Sequence, residues 1–199
     1  TTTLNAIIQI LEFEGEKVLL GAPTGRAAKR MTELTGCEAK TIHRLLQVEG
    51  NEQESPTFSK NERNLLECDA LILDELSMVD VTLFEGVLRA LPLGCRLILV
   101  GDGDQLPSVG AGNVLGNLID TNLLPVVQLN EIFRQSMESL IVTNAHKIVN
   151  GQMPDLRTKD NDFFFLPQSD TKQAAQLIAD LCATRLPHTY GFSPTEDIQ

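Results

Sequence analysis

The sequence predicts an α/β fold: a mostly parallel sheet with helices on both faces. Three observations predict it. Short apolar runs recur, at residues 18–20, at Ala70–Leu73 and at residues 96–100. Apolar residues at helical spacing lie between these runs. Two of the runs end in loops rich in Asp, Glu and Gly. A continuous apolar run bounded by turn residues suits a strand buried on both faces, as in parallel sheets. Strands that alternate with helices imply βαβ units.

Taken in order, Leu4, Ile7, Ile8 and Leu11 fall at i, i+3, i+4 and i+7, which predicts an opening helix ending near Glu14 and Gly15. Residues 17–21 follow as a strand. Thr24 is a suitable N-cap for a helix over residues 26–34, and Gly36 a suitable stop. Thr41 can cap a short helix that runs through Leu46. Residues 49–64 are polar apart from Phe58 and contain Pro56, which predicts a surface excursion with Phe58 exposed. Ala70–Leu73 is the second strand. Phe84, Val87, Leu88 and Leu91 stripe the next helix, which Pro92 and Gly94 stop. Residues 96–100 form a third strand and residues 126–129 a fourth. Residues 136–149 predict a helix, with Gly151 and Pro154 after it. Residues 163–166 predict a fifth strand, with Phe163, Phe164 and Phe165 as core residues. Ala174, Leu177, Ile178 and Leu181 stripe a last helix.

Composition narrows the function classes. The chain has 199 residues, 42% of them apolar and 22% charged, which suits one α/β domain with its own core, or one domain with a short appendage. No apolar run approaches the roughly 20 residues that span a membrane, and no signal peptide is visible, so membrane partners are not expected. Cys37, Cys68, Cys95 and Cys182 form no C-x-x-C pair and read as four buried thiols in a reducing cytoplasm. A net charge of −11 argues against a broad basic nucleic-acid face, though not against a narrow groove with a few donors.

The chemistry concentrates at two strand ends. Leu71-Ile-Leu-Asp-Glu75 ends an apolar strand in two carboxylates. In open parallel sheets ligands sit beyond the carboxyl ends of the strands. One carboxylate can help hold Mg²⁺ and the other can orient or deprotonate a water. Alone, the pair fits equally well as acidic residues near the start of the following helix. The next strand ends in Gly101-Asp-Gly-Asp-Gln-Leu-Pro107, where Gln105 can read a terminal phosphate or an attacking water. A Gly-Asp turn is the bland alternative. Arg134, in Ile132-Phe-Arg-Gln135, fits a surface residue or a phosphate-sensing arginine.

Five segments in order resemble RecD-like DNA helicases of superfamily one, either stand-alone RecD-like enzymes, exodeoxyribonuclease V alpha-type subunits or the helicase part of conjugative relaxases. They are Ala22-Pro-Thr-Gly-Arg-Ala-Ala-Lys-Arg30, Thr41-Ile-His-Arg-Leu-Leu46, Asp74-Glu-Leu-Ser-Met-Val-Asp80, Gly101-Asp-Gly-Asp-Gln-Leu-Pro-Ser-Val109 and Ile132-Phe-Arg-Gln135. The likeness continues through Asn144-Ala-His146 and Asp162-Phe-Phe-Phe165 to Asp197-Ile-Gln199. It implies a RecA-like first motor domain over residues 1–196, with residues 197–199 opening a second. It implies an enzyme that couples ATP hydrolysis to 5′→3′ movement on single-stranded DNA in repair or recombination, alone or with recombination-complex subunits. ATP and Mg²⁺ are the implied cofactors. Asp74 would coordinate Mg²⁺, Glu75 would activate water, and Gln105 and Arg134 would act at the γ-phosphate, with Gly101 and Asp102 at the nucleotide. Pro23, Thr24, Arg26, Thr41 and His43 would lie along the DNA.

No G-x-x-x-x-G-K-[ST] phosphate loop occurs in these 199 residues. By the resemblance, Thr1 and Thr2 correspond to residues just after that loop's Lys, with the Thr1 hydroxyl on Mg²⁺. The resemblance therefore implies a P-loop NTPase core without its P-loop, binding nucleotide weakly and turning over negligibly on its own. Two other readings fit the residues. One is a Mg-dependent nuclease with Asp74, Glu75, Asp102 and Asp104 around two metals. The other is a non-catalytic DNA or protein interaction domain.

Overall fold

The computed structural model describes residues 2–49, 57–129, 138–159 and 162–198. Thr1 and Arg134 therefore lie outside the described residues. Two compact units are present, Thr1–Gln128 and Leu129–Gln199.

In the first unit, helix α1 (Thr2–Phe13) buries Leu4, Ile8 and Leu11, the predicted stripe. It leads to strand β1 (Val18–Ala22) and helix α2 (Gly25–Thr35). The caps of α2 are as read from the sequence. The Thr24 hydroxyl accepts the Ala27 N–H, and Gly36, at φ 74°, donates its N–H to the Thr32 carbonyl. Strand β2 (Ala39–Thr41) comes next, a three-residue strand with a central Lys that carries no periodic signal. Thr41 then caps helix α3 (Ile42–Leu46) by accepting the Arg44 N–H. The excursion holds a short antiparallel pair, β3 (Val48–Glu49) and β4 (Thr57–Phe58).

Strand β5 (Ala70–Leu73) is fully buried. A 3-10 turn (Leu76–Met78) connects it to helix α4 (Val81–Ala90), which the Asp80 carboxylate caps. The buried face of α4 is Leu83, Gly86, Val87 and Ala90, so the predicted stripe is rotated and Leu88 is exposed. Strand β6 (Arg96–Leu99) and helix α5 (Val114–Asp120) complete the unit; α5 is a helix that the sequence pattern does not predict.

The sheet order is β2-β1-β5-β6, and every pairing is parallel. Register matches the alternation of side chains across a strand. Leu19, Leu71 and Leu97 are paired neighbours and face one core, with α3, α4 and Leu115 of α5. Leu20, Ile72 and Ile98 are paired one position on and face a second core, with α1 and Met31 of α2. Helices thus cover both faces, as predicted. Each wholly buried Leu or Ile contributes about 1.5–3 kcal/mol, and β5 supplies three in succession at its end.

Several expectations are corrected. Residues 126–129 form no strand, and Val127 and Leu129 are 86% and 76% exposed. A strand requires a ladder partner for its backbone groups, and none pairs with this run among the described residues. Residues 163–166 likewise form no strand, and Phe164 is 57% exposed. Phe58 is half-buried rather than exposed, because it packs against the first core over Gly86, where a Cβ would stand 2.7 Å from its ring. Of the four free thiols only Cys68 is buried; Cys37, Cys95 and Cys182 are intermediate. Burial pushes the Cys68 thiol up to about 12, and its Sγ lies 3.7 Å from that of Cys95.

In the second unit, helix α6 (Leu140–Val149) buries Asn144, whose amide donates to the Asp155 carbonyl and accepts the Asp155 N–H. Helix α7 (Thr171–Asp180) passes through a π-helical stretch (Leu181–Arg185) into α8 (Leu186–Tyr190). No residue of α7 is buried; Ala174, Leu177 and Leu181 of the predicted stripe are intermediate and Ile178 is exposed. Among the described residues no helix is long and apolar enough to cross a membrane.

At the start of α6, the Asp162 carboxylate accepts from the Ser139 hydroxyl and from the N–H groups of Leu140 and Ile141. The Ser139 bond first, aided by these backbone donors, holds the Asp162 carboxyl below its ordinary value. A lowered folded-state value means that the carboxylate adds stability above the unfolded value of about 3.9 and loses it as pH falls through the lower folded value. The stability difference between wild type and Asp162→Asn should therefore shrink as pH drops below about 3.9. Unfolding curves across that range check it; a constant difference would rule the ionised carboxylate out.

Candidate functional site

Because β2, β1, β5 and β6 are parallel, their carboxyl ends share one edge of the sheet. Pro23 and Thr24 follow β1, Thr41 ends β2, Asp74 and Glu75 follow β5, and Gly101–Gln105 lie just beyond β6. Pro23, Thr24, Thr41, Asp74, Glu75 and Gly101–Gln105 therefore occupy one edge. With strands about 4.8 Å apart, the row from β2 to β6 spans about 14 Å.

The acidic pair is held by main-chain bonds. Asp74 N–H donates to the Gly21 carbonyl (2.9 Å), and Leu76 N–H donates to the Val100 carbonyl (3.0 Å). The Asp74 carboxylate accepts the N–H of Glu75 through Oδ1 (2.9 Å), which leaves Oδ2 for another partner. Glu75 adopts φ 54° and ψ 41°, a left-handed conformation rare for a residue with a side chain. Such a backbone costs on the order of 1–3 kcal/mol and tends to cluster at functional sites. Both carboxylates are half-buried. They line a cavity of about 190 Å³ together with Leu4, Met31, Val100 and Arg30.

The glutamine loop is bonded to the turn that follows this pair. The buried Ser77 donates its hydroxyl to Gln105 Oε1 (3.4 Å), across 28 residues. Gln105 Nε2 in turn donates to Asp102 Oδ2 (3.5 Å), and Asp102 Oδ1 accepts the Asp104 N–H (3.0 Å). Gly101 allows the approach: a Cβ there would stand 2.9 Å from Leu115 Cδ2 and 3.1 Å from the Leu76 backbone nitrogen. Sequence reasoning missed Arg30 and Ser77. Arg30 lies four residues after Arg26 on one helix, so a helical-face count would have found it; nothing local signals Ser77.

A hard-oxygen donor set suits Mg²⁺, which is commonly held by one or two carboxylates with waters and phosphates. The open Oδ2 of Asp74 fits that pattern. Asp74, Glu75, Asp102 and Asp104 do not gather into a group of three or more metal-ligating side chains, and no other such group exists among the described residues. The two-metal nuclease reading needed that gathering.

At the β1–β2 end, the register sets Ala22 beside Thr41. Thr24 and Thr41 each cap a helix through the side-chain oxygen. Arg26 is exposed in the first turn of α2. The His43 ring lies 6.5 Å from the Phe58 ring, tilted by 54°.

The sequence profile of a family described as an AAA domain matches residues 1–111. The chain belongs to this AAA domain family. The ATP-dependent RecD2 DNA helicase of Deinococcus radiodurans is 40% identical over 154 residues, which covers 77% of this chain and 21% of that protein. The RecBCD enzyme subunit RecD of Mycobacterium tuberculosis is 36% identical over 143 residues, 60% of this chain and 24% of that one. This AAA domain chain thus spans between a fifth and a quarter of the length of these curated relatives, 21% and 24%. The crystal structure of Bacteroides sp Pif1 in complex with ADP-AlF4 matches with a TM-score of 0.53 at 23% identity, over 91% of this chain and 50% of that one, a likeness of fold. The resemblance to RecD-like proteins read from the motifs is borne out by these relatives.

The Gly101 approach has a measurable consequence. Gly101→Ala should destabilise the protein by about 1–3 kcal/mol through overpacking. Gly103→Ala is the control, since nothing lies within 4 Å of a Cβ there, and it should stay within about 0.5 kcal/mol. Urea unfolding compares the two; equal stability would show that the loops do not depend on the bare backbone at Gly101.

Proposed function

We propose that this AAA domain is the first motor domain of an ATP-dependent DNA helicase, which couples ATP hydrolysis to 5′→3′ movement along single-stranded DNA in repair or recombination. The observation that carries the reading is the common edge. The β5–β6 half presents Asp74, Glu75 and Gln105, with Gln105 bonded to Ser77, two residues after Glu75. The β2–β1 half presents Thr41, Pro23 and Thr24 beside it. A phosphoryl-transfer site and a strand-binding track on adjacent strand ends can be coupled through the sheet. The similarity to an ATP-dependent RecD2 DNA helicase and to a RecBCD enzyme subunit RecD supports the same reading.

In this mechanism Glu75 orients and deprotonates the attacking water, and its fixed left-handed backbone limits where the carboxylate can reach. Gln105 hydrogen-bonds the water or the γ-phosphate, and its own amide is positioned by Ser77 and Asp102. Gly101 and Asp102 border the phosphates. Asp74 would hold Mg²⁺, with Thr1 as a further ligand by the resemblance, and the ion would supply charge neutralisation at the phosphates. By the resemblance, Arg134 would act on the γ-phosphate and Thr2 would contact the nucleotide. Phosphoryl transfer of this type works mainly by positioning and electrostatic stabilisation. Pro23, Thr24, Arg26, Thr41 and His43 run along the DNA, where helix-terminal N–H groups near Thr24 favour a phosphate. Residues 1–196 form the motor domain and residues 197–199 enter the next. The protein works in the cytoplasm, alone or with recombination-complex subunits.

Two variants of the full-length protein test this. Glu75→Gln should bind ATP analogue as the wild type does and lose DNA-stimulated phosphate release by at least 100-fold, in line with loss of a general base; undiminished turnover would remove Glu75 from this role. Arg26→Ala should weaken single-strand binding more at low salt than at high salt, because phosphate contacts are screened. A salt-independent loss would point to damaged folding instead.

A further inference from the structure

Two thiols meet where β5 and β6 begin. Cys68 stands two residues before β5, and Cys95 one residue before β6. Their Sγ atoms lie 3.7 Å apart, although 27 residues separate them along the chain. Strand register alone does not produce this contact. Extended back from the pair Ala70 and Arg96, the register sets Cys95 beside Asp69, with Cys68 one residue further on. Strict alternation would then send the two sulfurs to opposite faces of the sheet. The chain bends at Asp69 instead. Two bonds hold the bend: Asp69 N–H donates to the Lys17 carbonyl (2.9 Å), and the Asp69 carboxylate accepts the Lys17 N–H (2.8 Å). Both cysteines therefore pack in the first core.

The spacing suits a covalent link. Parallel strands about 4.8 Å apart, rising about 3.3 Å per residue, put residues one step out of register about 5.8 Å apart at Cα. Disulfides span roughly 4.4–6.8 Å at Cα. Access to the two sulfurs is unequal. Cys68 is buried, whereas Cys95 is partly exposed and meets a reagent first. Burial pushes the Cys68 thiol up to about 12 and raises that of Cys95 as well. The thiolate is the attacking form, so neither sulfur is a fast nucleophile towards a reagent in solution. Attack of one sulfur on the other is different, because both are already held in contact.

We propose that Cys68 and Cys95 form a modification site for a small disulfide of the glutathione class, which converts them into a reversible disulfide across the amino ends of β5 and β6. The step is thiol–disulfide exchange. Cys95 gives its proton to water and attacks one sulfur of the reagent. The reagent's S–S bond breaks, and one half leaves as a thiolate that takes up a proton. Cys68 then loses its proton and attacks Cys95 Sγ, and the second half leaves in the same way. The two protein thiols are oxidised by two electrons, and the reagent is reduced to two thiols. The link lies at the opposite strand ends from Asp74, Glu75 and Gly101. It ties together the two strands that deliver those residues, so oxidation stiffens their support without entering the site. The pair's chemistry depends on thiol geometry alone, whatever the other edge of the sheet binds.

The test incubates the folded full-length protein with oxidised glutathione, blocks the remaining thiols by alkylation and digests with trypsin. Cleavage after Arg63, Arg89 and Arg96 puts the two cysteines on separate peptides, residues 64–89 and 90–96. The expected product is these two peptides joined, and dithiothreitol should part them. Cys68→Ser should instead retain glutathione on Cys95. In the joined form, backbone amides of residues 70–73 and 96–99 should exchange hydrogen about tenfold more slowly, or slower still, than in the reduced form, as a crosslink of this kind stabilises the ordered state. Glutathione on wild-type Cys95 with no joined peptides would overturn the link. So would joined peptides that form only after the protein is unfolded in urea, since the fold would then not present the pair. Joined peptides with unchanged exchange would overturn the stiffening of the strands. Should Cys68→Ser fail to fold, the wild-type digest and its exchange rates decide alone.

Discussion

Backbone hydrogen bonding between β1, β5 and β6 in parallel register is the constraint on which the site depends. Asp74 N–H bonds the Gly21 carbonyl, Val100 N–H bonds the Leu73 carbonyl, and Leu76 N–H returns to the Val100 carbonyl. These three bonds carry the ladder past the last residues of β5 and β6 and into the loops. Asp74, Glu75 and Gly101 are thus positioned by main chain rather than by flexible side chains. Parallel direction does the rest, since it sends every strand's carboxyl end to the same edge.

Two cores hold that sheet between helices, and the division of labour follows from period-two alternation. Leu71 and Leu73 face α3 and α4, while Ala70 and Ile72 face α1 and α2. The acidic pair follows directly on this buried run, where the chain leaves the core for water. Glu75 takes the unusual backbone conformation at that boundary. Strain at this position is tolerated because the flanking bonds and the buried Leu76 leave the chain little alternative.

Charge is segregated as well. The acidic residues of the candidate nucleotide half stand beyond β5 and β6, whereas Lys40 and Arg44 cluster about β2 and α3. An acidic protein can in this way offer a local cationic surface without a basic face, because Coulomb attraction near a surface is set by charges within about a Debye length of 8–10 Å.

Much of this was legible in the residues. The Thr24, Thr41 and Gly36 caps, the α1 stripe and the Ala70–Leu73 strand all depend on neighbours within a few positions, so local sequence specifies them. The likeness to RecD-like proteins was likewise readable. The apolar runs at residues 126–129 and 163–166 misled, because apolarity marks a candidate strand but cannot supply its ladder partner. Phe58 misled for the converse reason: its polar neighbours in sequence say nothing of the bare Gly86 it packs over. Sequence by itself determined the residue types, the local caps and the α/β class. Only tertiary structure decided the strand order, the Ser77–Gln105 link, Arg30 beside the carboxylates and the contact between Cys68 and Cys95. Those depend on contacts between residues far apart in the chain, where packing and hydrogen-bond closure select one arrangement that no local pattern encodes.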